Sequence, residues 1–493
     1  MKRDDVVVLA TVTTVSTVVA VVLLVRQWKR RSEQRWRHAQ SILRKFAREC
    51  ATPVPKLWKI ADDLVSEMQA GLTSTHQSTL QMLPSCLPSL PTGDEKGLYY
   101  GINLRGTNFI IVQARLGGKD ARTSLLGGRN EPISDLYRQE IPIPLNIIQA
   151  SSQELFDWIT LELGKFISMH SEGLQGGEKN LGFTVSPTIA EVAASRETAI
   201  TWKDSLLGDA AGNKLLNEIN IAMEKLGVDK QVFALVDDTI GVLAGGRYYS
   251  KESVAAVTLG MGTNAAYVES AESVVNWPDQ APKPEEIAIK MQWGNFRSSH
   301  LPITEFDTSL DAESSYPGSQ IFEKLISGTY LGETVRRVLL KMAQESALFG
   351  DTVPPKLAIP YSLRSPDMAA MHQDTSEDYE IIDEKLTEIF GITNSTTMAR
   401  ELVAEVCDVV AERGARVVGA GIVGIVKKLG RLSNRISIIT VEGGVYEHYR
   451  VYRNYLHSSV WEMLGNKLSD NVIIEHSHGG SGASSIFIAA SQP

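Results

Sequence analysis

Five short turns built from glycine, acidic, amide and hydroxyl residues, each beside an apolar strand-like run, constrain this chain more than any other feature. They are Asn103-Leu104-Arg105-Gly106-Thr107-Asn108, Asp237-Asp238-Thr239-Ile240-Gly241, Gly260-Met261-Gly262-Thr263-Asn264, Glu442-Gly443-Gly444 and Gly479-Gly480-Ser481-Gly482. Glycines 245 and 246 follow the second turn closely. Turns of this kind let backbone N–H groups converge on an anion with no Cβ in the way. One alone is weak evidence, because glycine ends most strands. Five in one chain point to a nucleotide cleft between two lobes. No glycine-rich run ends in Lys-Ser or Lys-Thr, which disfavours an ordinary P-loop enzyme.

The runs that feed these turns read as strands: Leu98–Ile102, Phe109–Gln113, Leu181–Val185, Val254–Gly260 and Ile436–Val441. Helical stretches lie between them, at Glu154–Ser168, Leu215–Leu226, Gln320–Ala343 and Met398–Leu429. Strands alternating with helices imply an α/β architecture. From Ser41 to Leu72 apolar residues recur at helical spacing, with Pro53 and Pro55 dividing two helices. Residues 73–97 read as a connecting loop and 117–137 as a loop or hairpin excursion.

A chain of 493 residues is too long for one simple core, so two lobes are expected. A net charge of −9 argues against nucleic acid as the main partner. The cysteines, Cys50, Cys86 and Cys407, show neither a metal spacing nor a disulfide framework, which suits a reducing compartment.

Val6–Val25 is an uncharged run of apolar and hydroxyl residues. As a helix its roughly 20 residues would span about 30 Å, the thickness of a bilayer core. Arg26, Lys29, Arg30, Arg31, Arg35 and Arg37 follow it, with Trp28 and Trp36 among them as interfacial aromatics. A cleaved secretory signal fits less well, because the run is long and the basic cluster lies downstream. A buried core helix is the other alternative. An uncleaved anchor is expected, with the large domain left in the cytosol.

Trp293-Gly294-Asn295-Phe296-Arg297-Ser298-Ser299-His300-Leu301-Pro302, Leu243–Tyr249 and Gly414-Ala415-Arg416, together with the order of the turns, resemble plant hexokinases of the membrane-anchored type. The resemblance runs from the anchor to about Ala490. It implies an actin-like ATPase core, a two-lobed α/β hexokinase fold closing over a hexose with ATP and Mg²⁺ across the cleft, preceded by a transmembrane helix. The expected organisation is an anchor at 1–37, helices packing on the large lobe at 38–97, a small lobe at 98–245 to which 480–493 return, and a large lobe at 246–479. The mitochondrial outer membrane is the location that the resemblance suggests.

Carried over position by position, the resemblance makes Asp238 the base that takes the proton of the sugar 6-hydroxyl, a fitting task for a carboxylate. Ser186, Asn264 and Glu323 match sugar ligands of the family. Asp237 stands where the family has Asn, so two carboxylates sit side by side and the pKa of one is expected to rise. Gln292 replaces a Glu and loses a charge-assisted acceptor worth about 1.5–3 kcal/mol where buried. In the register from Leu181, Lys203 replaces a Thr and Asp204 replaces a sugar-contacting Lys. A one-residue shift would return Lys203 to the site.

The nucleotide side departs further. Asn103 replaces the carboxylate that helps to hold hydrated Mg²⁺, and a neutral amide suits that hard cation poorly. Arg105 replaces a glycine at a tight phosphate turn, where a side chain costs strain if φ is positive. Ile110 replaces an Arg that offsets phosphoryl charge, and Met261 replaces a phosphate-contacting Thr. Gly106, Thr107, Asn108, Gly262, Thr263, Gly443, Gly444 and Ser481 still match, so weakened nucleotide binding is expected.

Removing one preorganised donor costs about 2.7–4 kcal/mol of barrier. A non-catalytic or strongly impaired hexokinase-like protein in glucose sensing or regulation is therefore the leading expectation. The alternative is a slow hexokinase acting on glucose or fructose in glycolysis, supported by Asp238, Glu323 and Asn264. A scaffold that binds neither ligand is a third reading, in which Arg105 and Asp204 pair and close the cleft.

Overall fold

The computed structural model describes residues 33–73, 78–85, 87, 89–105, 107–118, 132–170, 177–186, 210–274, 284–480 and 482–491. The chain divides into two compact units. The first takes Met1–Ala51, Gly332–Leu363 and Asp367–Val410. In it the Glu333 carboxylate, fully buried, accepts from Arg336 Nε at 2.7 Å, Arg337 Nε at 2.8 Å and the Tyr361 amide at 2.7 Å. The second unit takes Thr52–Leu331, Arg364–Pro366 and Ala411–Pro493, and it contains both sheets.

The strands of the second unit are β1 (Leu83–Pro84), β2 (Lys96–Arg105), β3 (Asn108–Gly117), β4 (Ile133–Pro142), β5 (Gly177–Val185), β6 (Gln231–Asp237), β7 (Ser253–Leu259), β8 (Thr263–Ser270), β9 (Glu286–Lys290), β10 (Ser437–Glu442) and β11 (Val472–His476). A five-stranded sheet runs β4-β3-β2-β5-β6, with β2, β5 and β6 parallel. A six-stranded sheet runs β1-β9-β8-β7-β10-β11, with β7, β10 and β11 parallel. Parallel strands bury both faces, which is why β7 is buried along its whole length.

On one face of the five-stranded sheet lie the helices Ser152–His170 and Ala210–Lys225. The first presents Leu155, Phe156, Ile159, Leu163 and Phe166 at three- and four-residue spacing, so one stripe meets the strands. The opposite face carries the helices Asp238–Tyr249 and Ser484–Ala490, whose side chains share a core with Ala256, Ala266 and Ala288 of the other sheet. Gly182 permits this layering. A Cβ there would lie 1.7 Å from the Ser485 carbonyl oxygen, so only glycine lets the last helix rest on β5.

Each strand expected from the sequence is present, and Phe109–Gln113 and Leu98–Ile102 prove to be parts of longer strands. Two expectations are corrected. The stretch Gln320–Ala343 is two helices, Ile321–Ile326 and Gly328–Ser346, separated at the extended residue Ser327. The break arises because the Gly328 amide donates to Gly260 O at 2.8 Å and the Thr329 amide to Met261 O at 3.1 Å, anchoring the second helix on the third glycine turn. The excursion at 117–137 ends earlier than expected, because β4 starts at Ile133 and pairs with β3. Among the described residues no helix is long and apolar enough to cross a membrane, and Val6–Val25 lies outside them.

Candidate active site

The parallel strands β2, β5 and β6 end together, and their last residues are the candidate residues: Asn103 and Arg105 on β2, Ser186 after β5, Asp237 and Asp238 at the end of β6. Asn103 pairs with Thr184, Val185 pairs with Asp237, and the Ser186 amide donates to Leu104 O at 2.9 Å. Ligands of open parallel sheets bind beyond such carboxyl ends.

Asp237 is the centre of this cluster. It ends β6 in an extended conformation and caps the next helix, accepting from the Thr239 amide at 2.9 Å. The side chain is 1 % exposed and meets Lys290 Nζ, 6 % exposed, at 2.9 Å. Asn264 Nδ2 approaches both carboxylate oxygens at 3.5 Å. Lys290 ends β9, so this ion pair joins the two sheets. Lysine is almost never fully buried unless paired, and the run Glu286-Ile287-Ala288-Ile289-Lys290 closing on a lysine was the one sequence signal for it.

Asp238 opens the helix, with Ser186 donating to its carboxyl. Its Oδ1 is shielded from water and has no hydrogen-bond partner among the described residues. Burial raises the Asp238 pKa well above the usual carboxylate range; the Asp237 and Glu442 charges add to the rise, and Arg105 and Ser186 oppose it. The direction is the one expected from adjacent carboxylates. Glu442, which ends β10, is a third carboxylate to which the sequence reading gave no role. Burial pushes it up to about 7, against Arg105, the Ser477 side chain and the Gly482 amide.

Arg105 corrects an expectation. It is the last residue of β2, paired with Asn108, and is not among the residues with positive φ, so no left-handed strain arises. Its Nε donates to Asn103 Oδ1 at 2.6 Å, while Asn103 Nδ2 donates to Thr184 Oγ1 at 2.8 Å. Both ends of the Asn103 amide are thus engaged. Among the described residues no group of three or more His, Cys, Asp or Glu is arranged to hold a metal ion. Asn103 stands where the resemblance places a carboxylate near Mg²⁺, and its amide oxygen already accepts from Arg105.

The hydroxyl of Thr263 is also engaged, donating to Thr258 O at 2.8 Å and accepting from Trp293 Nε1 at 2.9 Å. Met261 is half exposed, with its carbonyl held by Thr329. Gly262 accepts from the Gly260 amide at 3.0 Å and so closes its turn. Ile110 is buried, opposite Asn103 on β3. Asn108 donates to Glu140, and Thr107 is exposed. Gly443 has φ +121, and a Cβ there would meet Leu259 O at 2.4 Å, so the fourth turn requires glycine. Its amide donates to Glu447 Oε1 at 3.0 Å, and Gly444 begins the helix that follows.

Gln292 and Glu323 each neighbour in sequence one of the rings that pack together, Trp293 and Phe322. Gln292 holds a left-handed conformation, φ 56 and ψ 45, as does Gln320 just before the helix that carries Glu323. Such strain collects at ligand sites. Gly294 packs on Glu323, and Trp293 lies edge-on to Phe322. Trp293, Thr263, Asn264 and Asp237 therefore form one connected set. Lys203, Asp204, Gly106 and Ser481 lie outside the described residues, and so does any Arg105–Asp204 pair.

A carboxyl whose pKa is raised on folding binds more protons folded than unfolded between its two pKa values, so stability falls as pH rises through that window. For Glu442 the window runs from the ordinary Glu range to about 7, and Asp238 has the same sign. Glu442→Gln is expected to flatten the fall in stability between about pH 4.5 and 7 and to be the more stable protein above pH 7. Urea unfolding across pH checks this, and an unchanged slope contradicts it.

Two family models described as hexokinase match the chain, over residues 42–248 and 254–491. Hexokinase-1 of Spinacia oleracea is 45% identical over 98% of this chain and 96% of its own. Hexokinase-1 of Nicotiana tabacum is 44% identical over 97% and 96%. Among solved structures, the hexokinase of Schistosoma mansoni complexed with glucose superposes with a TM-score of 0.74 at 25% identity, covering 94% of this chain and all of that one. Another hexokinase crystal structure, at 23% identity and TM-score 0.72, shares the fold. The two-sheet α/β architecture is the two-lobed hexokinase fold, and the chain belongs to the hexokinase family.

Proposed function

We propose that this chain keeps a hexose pocket, transfers phosphoryl groups weakly or not at all, and works in glucose sensing or regulation. The observation that carries the reading is the bond from Arg105 Nε to Asn103 Oδ1. Where the family has a carboxylate and a glycine, this chain has an amide and a cation bonded to each other. Buried Ile110 supplies no charge to a developing phosphoryl anion. Losing one preorganised donor costs roughly 10²–10³ in rate. These losses are not additive, but two suffice to place turnover far below that of a working kinase.

The sugar end supports hexose binding. Asn264, Gln292, Glu323 and Ser186 are assigned to sugar hydroxyls, with Lys203 or Asp204 beside them, and Asp238 is the candidate base. The Schistosoma mansoni structure was solved with glucose bound. A second reading, a slow ATP-dependent phosphotransferase acting on glucose or fructose, is favoured by the Asp238 Oδ1, which has no bond partner among the described residues, and by relatives named as hexokinases. The full-length chain is assayed for ATP-dependent phosphorylation of both sugars beside Asp238→Ala, with glucose binding measured in parallel. The expected result is saturable glucose binding with no turnover above the variant. Turnover that disappears in Asp238→Ala establishes the second reading instead.

The same proposal places the chain on a cytosol-facing membrane, the mitochondrial outer membrane by resemblance, held by Val6–Val25 and its basic flank. Deleting residues 6–25 is expected to move the protein from the membrane pellet to the soluble fraction. Unchanged partitioning contradicts the anchor.

A further inference from the structure

We propose that the helix 33–50 lays a stripe of arginines on an anionic lipid surface and so fixes how the chain sits on its membrane. The inference rests on the reading of Val6–Val25 as an anchor, and it adds what the following helix does once the chain is held.

The two faces of the helix are the first argument. Ala39, Ile42, Leu43, Phe46 and Cys50 are buried at the three- and four-residue spacing of one face. Arg37, Arg44 and Arg48 are exposed and recur at intervals of seven and four residues, which gathers them on the opposite side. Arg37 Nη2 lies 4.0 Å from Glu33, an exposed contact of small worth. Arg48 Nε donates to Arg44 O at 3.2 Å. Neither Arg44 nor Arg48 forms an ion pair among the described residues, and Glu405 is the acid that the charge of Arg44 reaches. Lys45, beside the stripe, lies 3.8 Å from Glu49. Guanidinium groups are planar donors that match phosphate oxygens.

Charge complementarity is the second argument. From Arg26 to Arg48 nine residues are Arg or Lys and one, Glu33, is acidic. The whole chain has a net charge of −9, so this excess is local and the remainder is acidic. An anionic leaflet attracts the one part and repels the other, which selects a single approach.

Reach is the third argument. Arg37 follows Val25 by 12 residues. Even a fully extended chain of that length keeps the stripe within about 40 Å of the end of the span. The attraction acts within a Debye length, about 8 Å at physiological salt, so the tether supplies the encounter and the arginines supply the contact. A basic patch alone binds reversibly, and it therefore orients a chain that the span holds.

The test puts an environment-sensitive dye on Ser41→Cys, an exposed position of the same stripe, in the full-length chain carrying Cys86→Ser. Cys50 and Cys407 are buried and stay unlabelled. The chain is reconstituted into vesicles of phosphatidylcholine, or of phosphatidylcholine with phosphatidylserine, each with spin-labelled headgroups that quench the dye on contact. Quenching is expected to be at least about threefold stronger on the anionic vesicles. It is expected to fall to the neutral level in the triple variant Arg37→Gln, Arg44→Gln, Arg48→Gln, and in 1 M salt, where the Debye length is about 3 Å. Glutamine is close to arginine in helix propensity, so the helix itself is preserved. Equal quenching on the two vesicles, or a triple variant that behaves like the parent, overturns the inference. Flotation of the same samples in high salt reads the anchor separately. A chain that floats with both vesicles but shows no lipid-dependent quenching keeps its anchor and loses the arginine contact. A chain that floats with neither loses both.

Discussion

The ion pair between Asp237 and Lys290 is the interaction on which the rest of the cleft depends. Its two side chains are almost fully buried and lie 2.9 Å apart. One ends a strand of the five-stranded sheet and the other a strand of the six-stranded sheet. A lone buried charge is costly, and removing one member of such a pair typically costs about 3–5 kcal/mol. The pair is therefore an internal solution to a local problem: an extra carboxylate beside Asp238, balanced by a lysine from the opposite sheet. Asp237 also caps the helix that Asp238 opens, so the same carboxylate orients the candidate base.

Arg105 repeats this logic at the other end of the cleft. Its charge sits among Asp238, Glu442 and the Asn103 amide. The cluster thus holds three carboxylates and two cations supplied by the chain itself. The sugar end is different in kind. Asn264, Trp293 and Glu323 form a buried framework with strained residues at Gln292 and Gln320.

Much of the fold was legible because periodicity and turn chemistry are local. Leu181–Val185 and Val254–Gly260 read as strands, and Glu154–Ser168 shows its core stripe at helical spacing. The glycine turns pointed to the strand ends where the candidate residues gather. What the sequence did not show was pairing across the sheets. Lys290 carried no local mark of its partner Asp237, since a salt bridge between sheets is set by tertiary packing. The helix break at Ser327 was hidden for the same reason, because a distant carbonyl, Gly260 O, claims the Gly328 amide. Thr263 looked like a phosphate ligand, yet its hydroxyl serves Trp293 and Thr258.

The measurement that tests this account most directly is a double-mutant cycle on Asp237→Asn and Lys290→Met, read by urea unfolding at neutral pH. If the two charges exist to neutralise each other, each single variant loses about 3–5 kcal/mol, and the double variant returns to within about 1 kcal/mol of the parent. Additive losses would contradict it, since they would mean that each residue is held by other partners and that the cleft is not organised around their pairing.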